Sequence, residues 1–231
     1  DLMKGAERPL FGGGGEAQRM AAITRLVEPR ALRAIESIPG ARHPQRVLDI
    51  GCGRGDYLAE LLTRYRDAMG LGIEIDPGVA EQARRRLAEA DVTRRAEVLV
   101  GDFRSIELPR GNFDLILLNH NFHYFAPAER PALLRRIKGR LNESGVVAVQ
   151  TLVLTEGSLP SLLGLQAGAA LFDLLLRAHG NLHGLPSATE LHQSLRDAGF
   201  ASTGEVAVIP GGAVRYVFGT VTPMAEPRSG A

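Results

Sequence analysis

The 231-residue chain has no tryptophan, and aromatic residues make up only 5% of it. Any stacking surface for a ligand must come from a handful of positions. There is one cysteine, Cys52, which excludes a disulfide within the chain and fits a reducing, cytoplasmic setting. Charge of either sign is not in excess. Twenty-seven Lys and Arg against twenty-six Asp and Glu leave +1, without the basic footprint of a nucleic-acid or acidic-membrane binder. Long apolar runs are missing too. The longest, Leu162–Leu176, is interrupted by Gln166 and Asp173 and is too short to span a bilayer. No secretory signal opens the chain. Its first residue is Asp1 instead of Met, the expectation for a trimmed start or an excised domain.

What is present is an ordinary apolar share, 45%, and an unusual 27 glycines. At roughly 100–200 residues per domain, the length suits one domain with extensions or two small ones. Glycines in such number mean either loose chain or backbone held close to a ligand, and their placement decides which.

Residues 19–38 carry apolar side chains on a helical period. Arg46–Ile50 reads as a short buried strand, Asp56–Met69 as a helix, and Leu71–Ile75 as the second strand. Asp76-Pro77 then opens a helix, with Asp as the cap and Pro in the first helical position. Ala96–Val100, Phe113–Leu118 and Val146–Leu152 read as further strands, with a helix over Pro131–Leu141. Continuous apolar strands alternating with helices predict a parallel sheet covered on both faces. Leu159–His179 is a long apolar helical segment. Ser187 and Glu190 fit a capping box for a helix to Ala198. Val206–Ile209 and Val214–Thr220 read as a terminal hairpin.

The most informative stretch is Asp49-Ile50-Gly51-Cys52-Gly53-Arg54-Gly55-Asp56. Three glycines between a strand and a helix allow a tight turn and close approach of a ligand to the amides. A dinucleotide turn would carry a third glycine where Asp56 stands. An acid there opposes a pyrophosphate, and Asp49 adds to the negative field. Such a site suits a cationic or zwitterionic ligand. Glu74 follows about 20 residues later, the distance at which a carboxylate meets a ribose.

In these residues the chain resembles the class I S-adenosylmethionine-dependent methyltransferases. Asp49, Gly51, Gly53 and Gly55 match their first motif in full. Gly72-Ile73-Glu74-Ile75-Asp76-Pro77 is similar to the second-strand motif, and the resemblance implies that Glu74 binds the ribose hydroxyls with Ile75 beside it. Gly101-Asp102-Phe103 is similar to the motif after the third strand. It implies that Asp102 accepts from the adenine amino group and that Phe103 packs on the ring. Phe113–Asn119 looks like the fourth strand, placing Asn119 at the cofactor. Cys52 reads as a small apolar filler.

Ligands of open α/β sheets bind beyond the carboxyl ends of the strands. There stands Asn119-His120-Asn121-Phe122-His123-Tyr124-Phe125. Small-molecule O-methyltransferases carry a base histidine at a similar place, which marks His123, although Tyr124 stands where their motif has Asp. The plain alternative is a loop-capping histidine. A second reading joins His123 and Gln150 as ligands of Mn²⁺ or Fe²⁺, with His183 as a third, by likeness to metal-dependent C-methyltransferase domains of polyketide assembly lines.

The resemblance implies an α/β, Rossmann-like fold with a seven-stranded, mostly parallel sheet and a terminal antiparallel hairpin. It divides the chain into an N-terminal helical extension or lid (1–45), a methyltransferase domain (46–222) with an acceptor-side cap (155–186), and a flexible tail (223–231). The expected activity is methyl transfer from S-adenosylmethionine to a small-molecule or carrier-protein-tethered acceptor in specialised metabolism. No nucleic-acid or membrane partner is expected; a homodimer or a place in a larger multidomain chain is compatible. The rivals are a non-catalytic S-adenosylmethionine-binding scaffold and a nicotinamide-dependent oxidoreductase.

Overall fold

The computed structural model describes residues 29–152, 173–174, 177, 183–210, 212 and 214–224. Its strands are β1 (Arg46–Ile50), β2 (Met69–Glu74), β3 (Ala96–Val100), β4 (Phe113–Asn119), β5 (Leu141–Leu152), β6 (Ser202–Ala207) and β7 (Val214–Thr220). They form one seven-stranded sheet in the order β3-β2-β1-β4-β5-β7-β6. β1 to β5 are parallel, and β7 runs antiparallel between β5 and β6. Helices with described bounds are α1 (29–37), α2 (Asp56–Arg64), α3 (Pro77–Glu89), α4 (Arg130–Lys138) and α5 (Ala188–Asp197). This is the expected α/β sheet with its terminal antiparallel hairpin.

Alternation along the strands sends side chains to two cores. One face buries Val47, Leu115, Leu117, Val146, Ala148 and Tyr216 against α1, α2 and α3. The other buries Leu48, Ile116, Leu118, Val147, Val149 and Val217 against α4 and α5. β4 lies between β1 and β5 with both faces covered, so Leu115, Ile116, Leu117 and Leu118 are all fully buried. Each such side chain contributes about 1.5–3 kcal/mol.

The helix starts follow local chemistry. Asp76 Oδ1 accepts from Gly78 N at 2.7 Å and Val79 N at 3.0 Å, with Pro77 in the first turn of α3. Ser187 and Glu190 form the expected reciprocal box at α5. Several boundaries differ from the sequence reading, these three among them. α2 stops at Arg64, short of Met69, because Arg95 reaches back to the carbonyls of Leu62, Tyr65 and Ala68. β5 starts at Leu141, which pairs with Phe113 before a register shift. β6 begins at Ser202, earlier than Val206, because an edge strand half open to water needs little apolar patterning.

The expected helix over 19–38 is seen from residue 29 onward. The Gly12–Gly15 run, residues 1–28 of the expected lid and residues 225–231 of the tail lie outside the described residues, as does most of 155–186 and of the helical segment Leu159–His179. The strand order reverses between β1 and β4. The crevice beyond the carboxyl ends of these two strands is where an open α/β sheet takes its ligand.

Candidate active site

After β1 the chain turns through Gly51, Gly53 and Gly55, all with positive φ: +64°, +54° and +76°. That conformation costs an L side chain roughly 1–2 kcal/mol. A Cβ on Gly51 would come within 2.5 Å of Asn121 Nδ2, and one on Gly55 within 3.1 Å of Ala83. Above Gly53 there is open space. Two glycines therefore serve packing, and the middle one leaves room for a ligand. Cys52 packs its sulfur where a Cβ on Gly72 would stand, at 2.7 Å. Burial, then the negative fields of Asp49 and Glu74, push its thiol up, so it is an inert filler.

Glu74, at the end of β2, is held in place by two amides. Its Oε2 accepts from Gly53 N and its Oε1 from Asp76 N, both at 3.0 Å. Each oxygen keeps acceptor capacity for a further donor, which fits a pair of adjacent hydroxyls. Ile75 stands beside it, 65% exposed. Asp49 is buried beneath the turn at 1% exposure. Its Oδ1 accepts from Asn119 Nδ2 at 3.4 Å, and Asn119 Oδ1 accepts from Tyr216 Oη at 2.9 Å. Asp49 thus reaches a ligand through its field and not by contact. Open backbone at Gly53, an anchored carboxylate and a negative field fit a sulfonium nucleoside.

Asp102 is drawn into a fork with Arg104, whose guanidinium and amide hold its carboxyl below the usual range. Phe103 departs from the sequence reading. Its ring is buried, 3% exposed, with the Arg136 guanidinium 5.4 Å from its centroid, so it serves the core and is no surface for stacking.

His120 follows β4 in a left-handed conformation, φ +53°, with its amide donating to Gln150 O at 3.2 Å. A non-glycine residue held there marks a constrained site. Phe122–Tyr124 then form one 3₁₀ turn, pinned by Phe122 in the α4–α5 core. His123 is 3% exposed, its ring centroid 4.7 Å from that of Tyr124. Burial lowers His123 to about 4, with His120 and Arg130 adding to the effect, and burial alone lowers His120 to about 4. Both rings are neutral at pH 7. Burial, then the charge of Glu74, pushes the Tyr124 hydroxyl up to about 12.

The Mn²⁺ or Fe²⁺ reading is corrected here. Gln150 is fully buried, and its carbonyl oxygen already accepts from Tyr57 Oη of α2 at 3.0 Å. β5 pairs Gln150 with Asn119, whereas the His123 turn is anchored in the opposite core. His183 meets His123 through its backbone N–H, which donates to His123 O at 2.9 Å. Among the described residues no group of three or more His, Cys, Asp or Glu side chains could hold a metal ion.

Sequence reasoning missed Tyr57, Tyr216, Asn121 and Arg130. Tyr57 and Tyr216 stand in a helix and a strand, and nothing in the linear pattern shows that their hydroxyls meet Gln150 and Asn119. Asn121 donates to Ile50 O across the glycine turn, a contact made only by the sheet.

A family model described as a methyltransferase domain matches residues 47–145. A malonyl-[acyl-carrier protein] O-methyltransferase of Halorhodospira halophila is 30% identical over 132 residues, covering 57% of this chain and 42% of that protein. An 8-amino-8-demethylriboflavin N,N-dimethyltransferase of Streptomyces davaonensis is 31% identical over 159 residues, 63% of this chain and 45% of that one. The chain thus spans less than half the length of these curated relatives. Among solved structures, the mitomycin 7-O-methyltransferase MmcR superposes with a TM-score of 0.69 at 25% identity, covering 87% of this chain and 55% of that one. An O-methyltransferase family protein from Burkholderia thailandensis gives 0.71 at 23% identity, over 92% and 61%. No helix among the described residues is long and apolar enough to cross a membrane. The motifs, the strand order and these likenesses coincide on residues 47–145, the stretch that matches the methyltransferase domain.

Proposed function

We propose that the chain transfers a methyl group from S-adenosylmethionine to a small-molecule or carrier-tethered acceptor, with His123 taking the acceptor's proton. The observation that carries this reading is the pairing of Glu74, locked by Gly53 N and Asp76 N, with open space above Gly53. When bound, S-adenosylmethionine supplies an electrophilic methyl group on a sulfonium.

Glu74 would receive the ribose hydroxyls, and Ile75 would lie along the nucleoside. Asp49 and Glu74 would favour the cationic cofactor over an uncharged competitor, because charge in a poorly solvated turn acts strongly. The Asp102 carboxylate, held by Arg104, would accept from the adenine amino group, and Asn119 would line the crevice between β1 and β4. His123 is neutral at pH 7, so its ring can accept a proton; burial makes it a weak base. It therefore suits acceptors whose O–H or C–H is already acidic, with proton removal and methyl transfer in one step. The low charge of the chain supports a small or tethered acceptor. So do the relatives' names, which cover a carrier-bound malonyl group and an aminoriboflavin.

Calorimetry with S-adenosylhomocysteine tests the cofactor: tight NAD(P) binding with no S-adenosylhomocysteine binding sinks the proposal. His123→Ala tests the base. Turnover should fall roughly 10²–10⁴-fold, with cofactor affinity within twofold. An unchanged rate removes His123 from the chemistry, and cofactor binding without turnover on any acceptor supports the scaffold rival. Activity should survive chelators.

A further inference from the structure

Arg130 opens α4 and, among the described residues, is the one charged cation in the buried set, at 6% exposure. Its Nε donates to Phe125 O at 3.1 Å, and its guanidinium lies 5.1 Å from the centroid of the Phe122 ring. Its Nη2 is buried with no hydrogen-bond partner. Glu129, its neighbour in sequence, and Glu190, whose charge it feels, do not supply one. Glu129 spends Oε2 on Ala126 N at 3.0 Å and turns Oε1 to Arg104. Glu190 spends Oε2 on Ser187 N at 2.7 Å and Ser187 Oγ at 3.0 Å, acting on Arg130 only through its field. A buried cation without a paired anion is costly, and a guanidinium fork matches a carboxylate in shape and charge. Arg130 also flanks the proposed base: Phe122 and Phe125, which it touches, bracket His123.

We propose that Arg130 binds a carboxylate of the methyl acceptor. This rests on the methyltransferase reading and narrows its acceptor to an acid, either free or tethered as a thioester. The two sources share one chemistry. Phe122 and Phe125 hold the guanidinium fixed, its free Nη2 takes one carboxylate oxygen, and the remainder of the acid lies toward His123.

The test uses the full chain saturated with S-adenosylhomocysteine. Calorimetry compares benzoate with benzamide, as a free acid, and malonyl-N-acetylcysteamine with its methyl ester, as a tethered acid. At least one acid should bind ten-fold or more tightly than its neutral counterpart. Arg130→Met should erase that preference, keep S-adenosylhomocysteine affinity within twofold, and melt no lower than the parent. Arg130→Lys, which keeps the charge and loses the fork, should retain part of the preference and carries the test if the Met variant does not fold. No preference for either acid in the parent, or a preference that survives Arg130→Met, overturns the proposal. Failure of the parent to bind S-adenosylhomocysteine overturns the methyltransferase reading itself. Which acid responds separates a free from a tethered acceptor.

Discussion

The two ends of the sheet use the same kinds of residue for opposite purposes. At the amino ends of the strands lies a hollow of about 300 Å³ lined by Arg46, Met69, Arg94, Arg95 and Phe113. The buried polar groups at this end are largely spent on the chain. Asp114 takes Gln45 N, Arg46 N and Asn142 Nδ2. Arg95 closes α2 through three carbonyls, and Arg46 lies 5.5 Å from the Phe113 ring. Arg140 Nε is the exception there. At the carboxyl ends the polar groups of Asn121, Arg130 and Gln150 each keep a buried atom without a partner, and the backbone is left-handed at Gly51, Gly53 and His120. This hollow is thus a structural seam. The proposed chemistry sits where bonding capacity and strain are left over.

The largest expected effect separates the two ends directly. Glu74→Ala should weaken S-adenosylhomocysteine binding by about 100-fold or more, roughly 3 kcal/mol, whereas Arg95→Met should leave it within twofold. Isothermal calorimetry on both variants reads the difference. Equal losses would dissolve the distinction between the ends.

Arg95→Met should instead lower stability by about 2–4 kcal/mol, since three carbonyls at the end of α2 lose a charged donor. Urea midpoints give that number, and a change below about 0.5 kcal/mol would mean the seam is not what stops the helix.

Acid should act on the other end. His120 and His123 stand at about 4 in the fold against an ordinary 6.5. Between those values the unfolded chain binds protons that the folded chain refuses. Stability is therefore complete above pH 6.5 and is lost as pH falls from 6.5 toward 4, by about 2 kcal/mol per histidine at pH 5. Denaturant melts at pH 7 and pH 5 measure it, and His123→Phe should remove about half of the acid sensitivity. The smallest effect is expected of Tyr216→Phe, about 1 kcal/mol, because Asn119 Oδ1 loses its donor inside the sheet. Cofactor affinity should hardly change.

Much of this was legible in the linear pattern. Glycines at alternate positions between Ile50 and Asp56 and the Asp76-Pro77 start need only local rules, so the turn and the helix cap stand where the sequence places them. The apolar run of β4 reads as buried for the same reason. The partners of the buried polar groups were not legible. Tyr57 and Gln150 are far apart in sequence, and no residue-type rule joins them. The metal reading failed at that point, since neighbouring strands place residues side by side without saying which face each uses. Phe103 misled in the same way: its type suits stacking, but its position on the core face decides otherwise.

The sequence by itself determined the order of elements, the glycine turn and the acid that faces it, because backbone freedom, capping and hydrophobic period act over a few residues. Only the tertiary structure decided which polar atoms stay unspent. Whether Arg130 or Gln150 is free depends on what α2, α4, α5 and the β4–β5 pair bring within hydrogen-bond reach, a property of packing across long stretches of chain.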